Sequence, residues 1–298
     1  MERALFVANA AFNIPLSATT IVGNALVLVS IARTSSLISP SNVLLLGLAF
    51  TDFCVGLIVQ PLYITLKFFE FINAGESLEL LTAVHFYCAQ YLCLVTFVNV
   101  TLLSVDRFLA LYIHLRYEEI VTVKRTVILL GSLWICCAIS VATGALLPKH
   151  MARFIAASIA GFAQVINTVL YYRIYRIVRR HRLQINSQAQ VQSNTVPPYI
   201  TSRFKRSLMT VFYIYLVFIA CYLPYFVMVF FRSKLLSLVF EISWTFVYAN
   251  SFLNPFLFSW RVQGVREAIK RTMCQRKPTI TMWIAPTYNT TQTRGFVI

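Results

Sequence analysis

Charge is scarce in this sequence. Asp, Glu, Lys and Arg make up 12% of its 298 residues, against the ~25% expected of a soluble domain. Two soluble domains, which length alone would suggest at ~150 residues each, are thereby excluded. Histidine is scarcer: His85, His114, His150 and His181 are the full set, on separate segments without metal-ligand spacing. Seven cysteines are too few for a disulfide scaffold, and nine glycines with ten prolines exclude collagen-like or low-complexity character. No internal repeat is visible, which argues against a repeat-built transporter.

What the chain does have is apolar length, 58% of it hydrophobic. Stretches without a charged residue run from Ala4 to Ala32, Leu80 to Val105, Thr126 to Pro148 and Phe154 to Tyr172. Two more run from Ser207 to Phe231 and Ile242 to Trp260, and a seventh, Thr34 to Leu66, is broken only by Asp52. About 20 apolar residues cross a bilayer core as a helix. The runs lack the alternation of a barrel strand and each can satisfy its own backbone. The fold class is an all-α membrane protein, a seven-helix bundle. Helices are expected at about 9–33, 42–68, 78–112, 124–147, 152–178, 204–231 and 237–260. A short outer N-terminus (1–8) precedes the membrane domain (9–260); an amphipathic eighth helix (261–274) and a cytosolic tail (275–298) follow.

Basic residues set the orientation. With the N-terminus outside, only Arg3, Lys67, Lys149, Arg153, Arg232 and Lys234 of the 26 Lys and Arg lie in outer segments. The rest face inward, as the positive-inside rule requires. The net +16 is therefore no nucleic-acid signal; a basic inner face suits anionic lipid and acidic or dipolar protein partners. No cleavable signal peptide is expected, because Met1-Glu2-Arg3 is no basic n-region and the apolar run is long enough to stay as a helix. The triplets at Asn99 and Asn289 fall mid-membrane and in the tail, away from glycosylation. Between helices five and six, the Gln/Ser/Asn stretch from His181 to Ser202 reads as mobile, as does the tail.

Polar residues inside the membrane carry the functional candidates. A carboxylate at mid-helix costs ~2.5–3.5 kcal/mol on insertion scales, so Asp52 needs partners. Asn24, Thr96, Asn250, Ser251 and Asn254 are available, an oxygen-rich set suited to a small cation such as sodium. Read alone, the same residues equally form a neutral network that holds helices together. Asp106-Arg107 ends helix three; Arg107 lies about three turns from Thr96 on one face, or else is an interfacial side chain reaching for water. Pro61, Pro224 and Pro255 interrupt helices two, six and seven, as hinges or as static kinks.

Together these residues resemble a rhodopsin-type (class A) G-protein-coupled receptor. The motifs are Gly23-Asn24, Leu48-Ala49-Phe50-Thr51-Asp52, Asp106-Arg107-Phe108, Trp134, Phe218 with Cys221-Tyr222-Leu223-Pro224, and Asn254-Pro255 through Phe258. Each is short; six in order, each on its expected helix, are specific. Within the family the chain is most similar to the melanocortin, cannabinoid, lysophospholipid and adenosine receptor branch. The inner loop from Leu115 to Arg125, the short second outer loop, a helix five without proline and Thr82 in place of a disulfide cysteine are melanocortin-like. No family-type disulfide is implied; Cys54, Cys88, Cys93, Cys136, Cys137 and Cys221 read as thiols within the membrane.

The resemblance implies a plasma-membrane, multi-pass receptor and no enzyme. Its partners would be an unknown extracellular ligand, membrane lipid, a heterotrimeric G protein and arrestin; nucleic acid is not among them. Asp106, Arg107 and Leu115 would meet the G protein. Tyr171, Phe218, Tyr222, Pro224, Asn254, Pro255 and Phe258 would be the activation switches. Asp52, Thr96, Asn250, Ser251 and Asn254 would hold an allosteric sodium ion, with no other cofactor, and Cys274 would be palmitoylated. Phe108 and Phe258 replace family tyrosines, Tyr222 replaces a tryptophan, and no acid flanks Phe204. Fewer resting-state restraints would raise basal activity, whereas the lost Phe258 hydroxyl would weaken an active-state water bridge to Tyr171.

Ligand class follows by exclusion within the resemblance. Ala89 stands where amine receptors carry an aspartate, and Tyr248 where opsins carry a lysine. Leu62, Thr82 and Phe86 replace the acids of the melanocortin site, and Val229 the adenosine-binding asparagine. The expected pocket is His85, Phe86, Gln90, Cys93, Tyr222, Tyr225, Trp244 and Tyr248, an aromatic face for a neutral or lipid-like small molecule. Competing readings are a peptide-responsive melanocortin-like receptor, or a seven-helix transporter or enzyme. An enzyme would want His and Asp clusters, and a transporter more membrane charge than Asp52.

Overall fold

The structure, a computed structural model, describes residues 2–72, 77–113, 116–189, 198–230 and 237–274. These are helical throughout apart from short connections, with no strand among them. In chain order the helices are α1 (Glu2–Ala32), α2 (Pro40–Phe71), α3 (Ser77–Tyr112) and α4 (Val123–Gly144). Then come α5 (Lys149–Ala189), α6 (Pro198–Phe230), α7 (Ser237–Arg261) and α8 (Gln263–Met273). The first six each contain a stretch long and apolar enough to span a membrane. At 25 residues α7 has the length; it is less apolar because it carries Ser243, Thr245, Asn250, Ser251, Asn254 and Pro255.

α3 runs through the middle, packed against α2, α4, α5 and α6, while α1 closes on α2, α7 and α8. The buried core includes Leu48, Val95, Phe97, Leu103, Phe218 and Phe258. α4 and α5 are peripheral: Ile128, Ile135, Ile139, Phe162, Val165 and Val169 point outward, an apolar surface that only lipid or a partner can cover. Asn99 stitches the centre to this edge, donating to the Thr51 hydroxyl at 3.0 Å and accepting from the Trp134 ring N–H at 3.3 Å.

Local chemistry places the breaks. Ser39 caps α2, accepting from the Asn42 N–H, with Pro40 at the first helical position, where its missing donor costs nothing. At Pro61 the missing N–H leaves the Leu57 carbonyl without its usual donor. The chain answers not with a bare kink but with a π turn over Val55–Val59. The Gly56 carbonyl there accepts from the Ser17 hydroxyl of α1 at 2.8 Å. A side chain at Gly56 would meet Ile21 Cγ1 at 3.0 Å, so glycine permits this approach of α1 to α2.

Three helices run past their expected ends. α1 begins at Glu2, inside the expected N-terminal segment, α5 continues to Ala189 and α6 begins at Pro198. Part of the stretch expected to be mobile is therefore helical; residues 190–197 lie outside those described. Charge-free runs mark the hydrocarbon, whereas a helix goes on into water wherever good helix formers such as Arg, Gln and Leu continue it. α8 is amphipathic, with Val265 and Ala268 buried and Arg266, Glu267, Lys270 and Arg271 exposed.

Candidate functional site

A cleft opens among the outer halves of α3, α5, α6 and α7. Phe86, Gln90, Cys93, Tyr222, Tyr225 and Trp244 of the expected pocket line it, joined by Leu94, Phe97, Arg153, Ala156, Ala157, Ala160 and Phe226. Its free space is about 40 Å³, room for a few waters at ~10–15 Å³ each. A larger occupant must part the surrounding helix ends. His85 and Tyr248 do not line it. Their side chains bond to each other at 2.9 Å and pack on Tyr63, turned toward α2.

Behind them the outer ends of α1, α2 and α7 are clasped by polar groups. Lys67 lies between Glu70 at 2.8 Å and Glu241 at 2.9 Å, and the Tyr63 hydroxyl donates to Glu241 at 3.2 Å. Asn9 donates to Tyr63 at 2.9 Å and accepts from Thr245 at 2.9 Å. The sequence offered Lys67 only as an outer-segment charge.

Below the cleft, Phe97 packs edge-on against Phe218 at 4.6 Å and Tyr222 at 4.8 Å between ring centres. The Tyr222 hydroxyl reaches the Cys93 sulfur at 3.9 Å. This aromatic group joins the floor of the cleft to the middle of α6, one turn from Pro224. Phe97, missed in the sequence, sits one residue after Thr96 on a helix whose every face is apolar, so periodicity could not single it out.

Deeper still, Asp52 is fully buried and its Oδ2 accepts from the Asn254 amide at 2.7 Å, with the Ser251 hydroxyl also near the carboxylate. Asn24 donates to the Thr20 and Ser251 carbonyls at 2.9 and 3.1 Å. Asp52 Oδ1, Asn24 Oδ1, Asn254 Oδ1 and both polar atoms of Asn250 are buried without a hydrogen-bond partner. Thr96 spends its hydroxyl on the Leu92 carbonyl at 2.9 Å. Pro255 lies over Gly23, where a Cβ would come within 3.1 Å of its ring, so α1 and α7 touch beside this cluster.

At the inner end, the Arg107 guanidinium pairs with the Asp106 carboxylate, Nε at 2.9 Å. Asp106 also accepts from Ser41 of α2 at 2.8 Å and from the Tyr117 hydroxyl in the helical turn Tyr117–Ile120. Burial, then the Asp106 bond and charge, push the Tyr117 hydroxyl up to about 12, so it stays a donor. Leu115 lies outside the described residues, as does the side chain of Phe204. Tyr171 stacks on Tyr215 at 4.4 Å, and Phe258 is fully buried in the core. Cys274 is exposed just past α8.

A bundle with a cleft at one end and an Asp-Arg pair on a buried aspartate at the other is matched by a family model. Residues 23–153 and 137–258 match the family described as "7 transmembrane receptor (rhodopsin family)". The chain belongs to that family. It is a G-protein-coupled receptor, an integral multi-pass membrane protein, and not an enzyme.

Similar proteins span several ligand types. A trace amine-associated receptor 365 of Petromyzon marinus is 28% identical to the receptor over 287 residues, covering 87% of this chain and 76% of that one. A histamine H2 receptor of Cavia porcellus is 26% identical over 292 residues, 86% and 77% of the two chains. Melanocortin receptor 3 of Mus musculus is 23% identical over 283 residues, 87% and 83%. The melanocortin likeness of the inner loop thus sits within a broader likeness to other receptors.

The main residue the sequence reading passed over in this receptor is Arg153. It was counted as an outer-segment charge; α5 starts at Lys149, so Arg153 falls one turn inside the helix and lines the cleft. The outer position of a charge is legible in sequence, but the direction it faces is not.

Proposed function

We propose that this receptor acts at the plasma membrane and responds to a small, largely apolar, lipid-like molecule held in the α3–α5–α6–α7 cleft. The observation that carries this is the unbroken aromatic contact from that cleft through Phe97 to Phe218 and Tyr222 on α6. A ligand that parts the cleft favours a second packing of these rings, and the inner half of α6 swings about Pro224. The swing opens the inner end beside Asp106, Arg107 and Leu115 for a G-protein helix, and for arrestin in turn. Tyr171, Asn254, Pro255 and Phe258 would rearrange in that step. The amine in two relatives' names is not carried over, because Ala89 is apolar and, among the described residues, no carboxylate lines the cleft. Asp52, Asn250, Ser251 and Asn254 would hold a sodium ion that favours the resting packing, with the unpartnered oxygens supporting that fit. The Thr96 hydroxyl would join them through its oxygen lone pairs, which its bond to the Leu92 carbonyl leaves free. Membrane lipid would cover the apolar faces of α4 and α5, and an acyl chain on Cys274 would anchor α8.

The test is nucleotide exchange on a panel of G proteins with the receptor in lipid nanodiscs. Wild type should raise exchange on at least one member above empty nanodiscs, and Arg107→Ala should abolish this with surface expression intact. Equal exchange by wild type and Arg107→Ala would return Arg107 to an interfacial side chain.

A further inference from the structure

Among the described residues Arg153 is the only charged one lining the cleft. Its guanidinium lies 5.4 Å from the Phe86 ring centre of α3 and 5.5 Å from that of Phe240 on α7, so it spans the mouth between two aromatic faces. Its Nε is buried without a hydrogen-bond partner. Aromatic faces attract a cation but offer no lone pairs, so they leave this Nε–H unsatisfied. Two acids of the neighbouring outer ends are already taken, since Glu70 and Glu241 both pair with Lys67. Among the described residues no carboxylate pairs with Arg153. Of the other polar groups of the lining, the Tyr225 hydroxyl and the Trp244 ring N–H can donate to a ligand; the Gln90 amide N–H already reaches the Ala152 carbonyl at 3.4 Å, and the Tyr222 hydroxyl the Cys93 sulfur.

We infer that the ligand of this cleft carries a carboxylate, which binds the Arg153 guanidinium while its apolar or aromatic body lies against Phe86, Phe97, Tyr225 and Trp244. The planar fork of arginine matches a carboxylate with two parallel bonds, and the rings below take the body. This rests on the cleft being the ligand site, and it selects an anionic amphiphile over a neutral one.

The full-length receptor in nanodiscs of zwitterionic lipid is titrated with three probes of one skeleton: 3-phenylpropionate, 3-phenylpropanol and 3-phenylpropylamine. Binding is read by thermal shift for wild type, Arg153→Lys, Arg153→Gln and Ala157→Trp, the last filling the cleft. The carboxylate should bind tightest. Arg153→Gln should weaken it by roughly tenfold or more, the scale of a hydrogen bond to a charged group, and leave the alcohol unchanged. Arg153→Lys should fall between and shows that the site tolerates substitution. An alcohol or amine that binds as tightly as the carboxylate overturns the inference, as does a carboxylate indifferent to Arg153→Gln or silent up to millimolar concentration. If Ala157→Trp blocks all probes while their charge makes no difference, only the anion inference fails. If the probes bind undisturbed by Ala157→Trp, the cleft itself is not the ligand site.

Discussion

Two aspartates lie buried in this bundle, at 0% and 4% exposure for Asp52 and Asp106, and their surroundings are opposite. Asp106 has both oxygens filled: Arg107 and Ser41 on one, Tyr117 on the other. Asp52 has the Asn254 amide on one oxygen and the Ser251 hydroxyl nearby, while its other oxygen and the side-chain oxygens of Asn24, Asn250 and Asn254 have no partner. A saturated carboxylate is a fastener, because each bond removed leaves charge uncompensated. An undersaturated one, in a cluster with other unpartnered oxygens, leaves room for a further partner. The difference teaches that burial of an acid in a membrane bundle does not name its role; the count of filled lone pairs does.

Predictions that press on this contrast run from large to small. Gly23→Val puts methyls into the Pro255 ring and should cost about 1–3 kcal/mol by overpacking, read as a lower thermal unfolding midpoint; an unchanged midpoint would mean that α1 and α7 do not need this contact. Tyr117→Phe removes one partner from the saturated acid and should cost about 1 kcal/mol. Faster amide exchange over 117–120 would accompany that loss, and exchange equal to wild type would show that Asp106 does not hold the turn. Cys274→Ser, far from both aspartates, should leave the unfolding midpoint unchanged and remove acyl-exchange labelling. Labelling that persists in the variant would place any acyl chain elsewhere.

The bundle was legible because hydrocarbon thickness writes itself into charge-free runs. Asp52, Asn254 and Ser251 were legible because polar residues at mid-helix must find one another. What sequence hid was direction. His85 and Tyr248 sit on pocket helices yet turn toward Tyr63, and Arg153 turns inward from a segment that reads as outer loop. Helix ends were hidden for a related reason, since α5 and α6 leave the membrane without ceasing to be helices. The π turn before Pro61 needed the Ser17 hydroxyl of another helix, a contact that no local pattern contains.

The contrast between the two acids comes down to whether Asp52 receives a cation. The direct measurement is thermal unfolding of the purified receptor in sodium chloride and in the chloride of a large organic cation, at equal ionic strength, for wild type and Asp52→Asn. Asparagine keeps the size and hydrogen bonding but not the charge. A ligand at ten times its dissociation constant stabilises by about 1.4 kcal/mol, so wild type should unfold at higher temperature in sodium, and Asp52→Asn at the same temperature in both salts. A wild-type midpoint identical in the two salts would contradict the account and leave Asp52 a structural hydrogen-bonding residue.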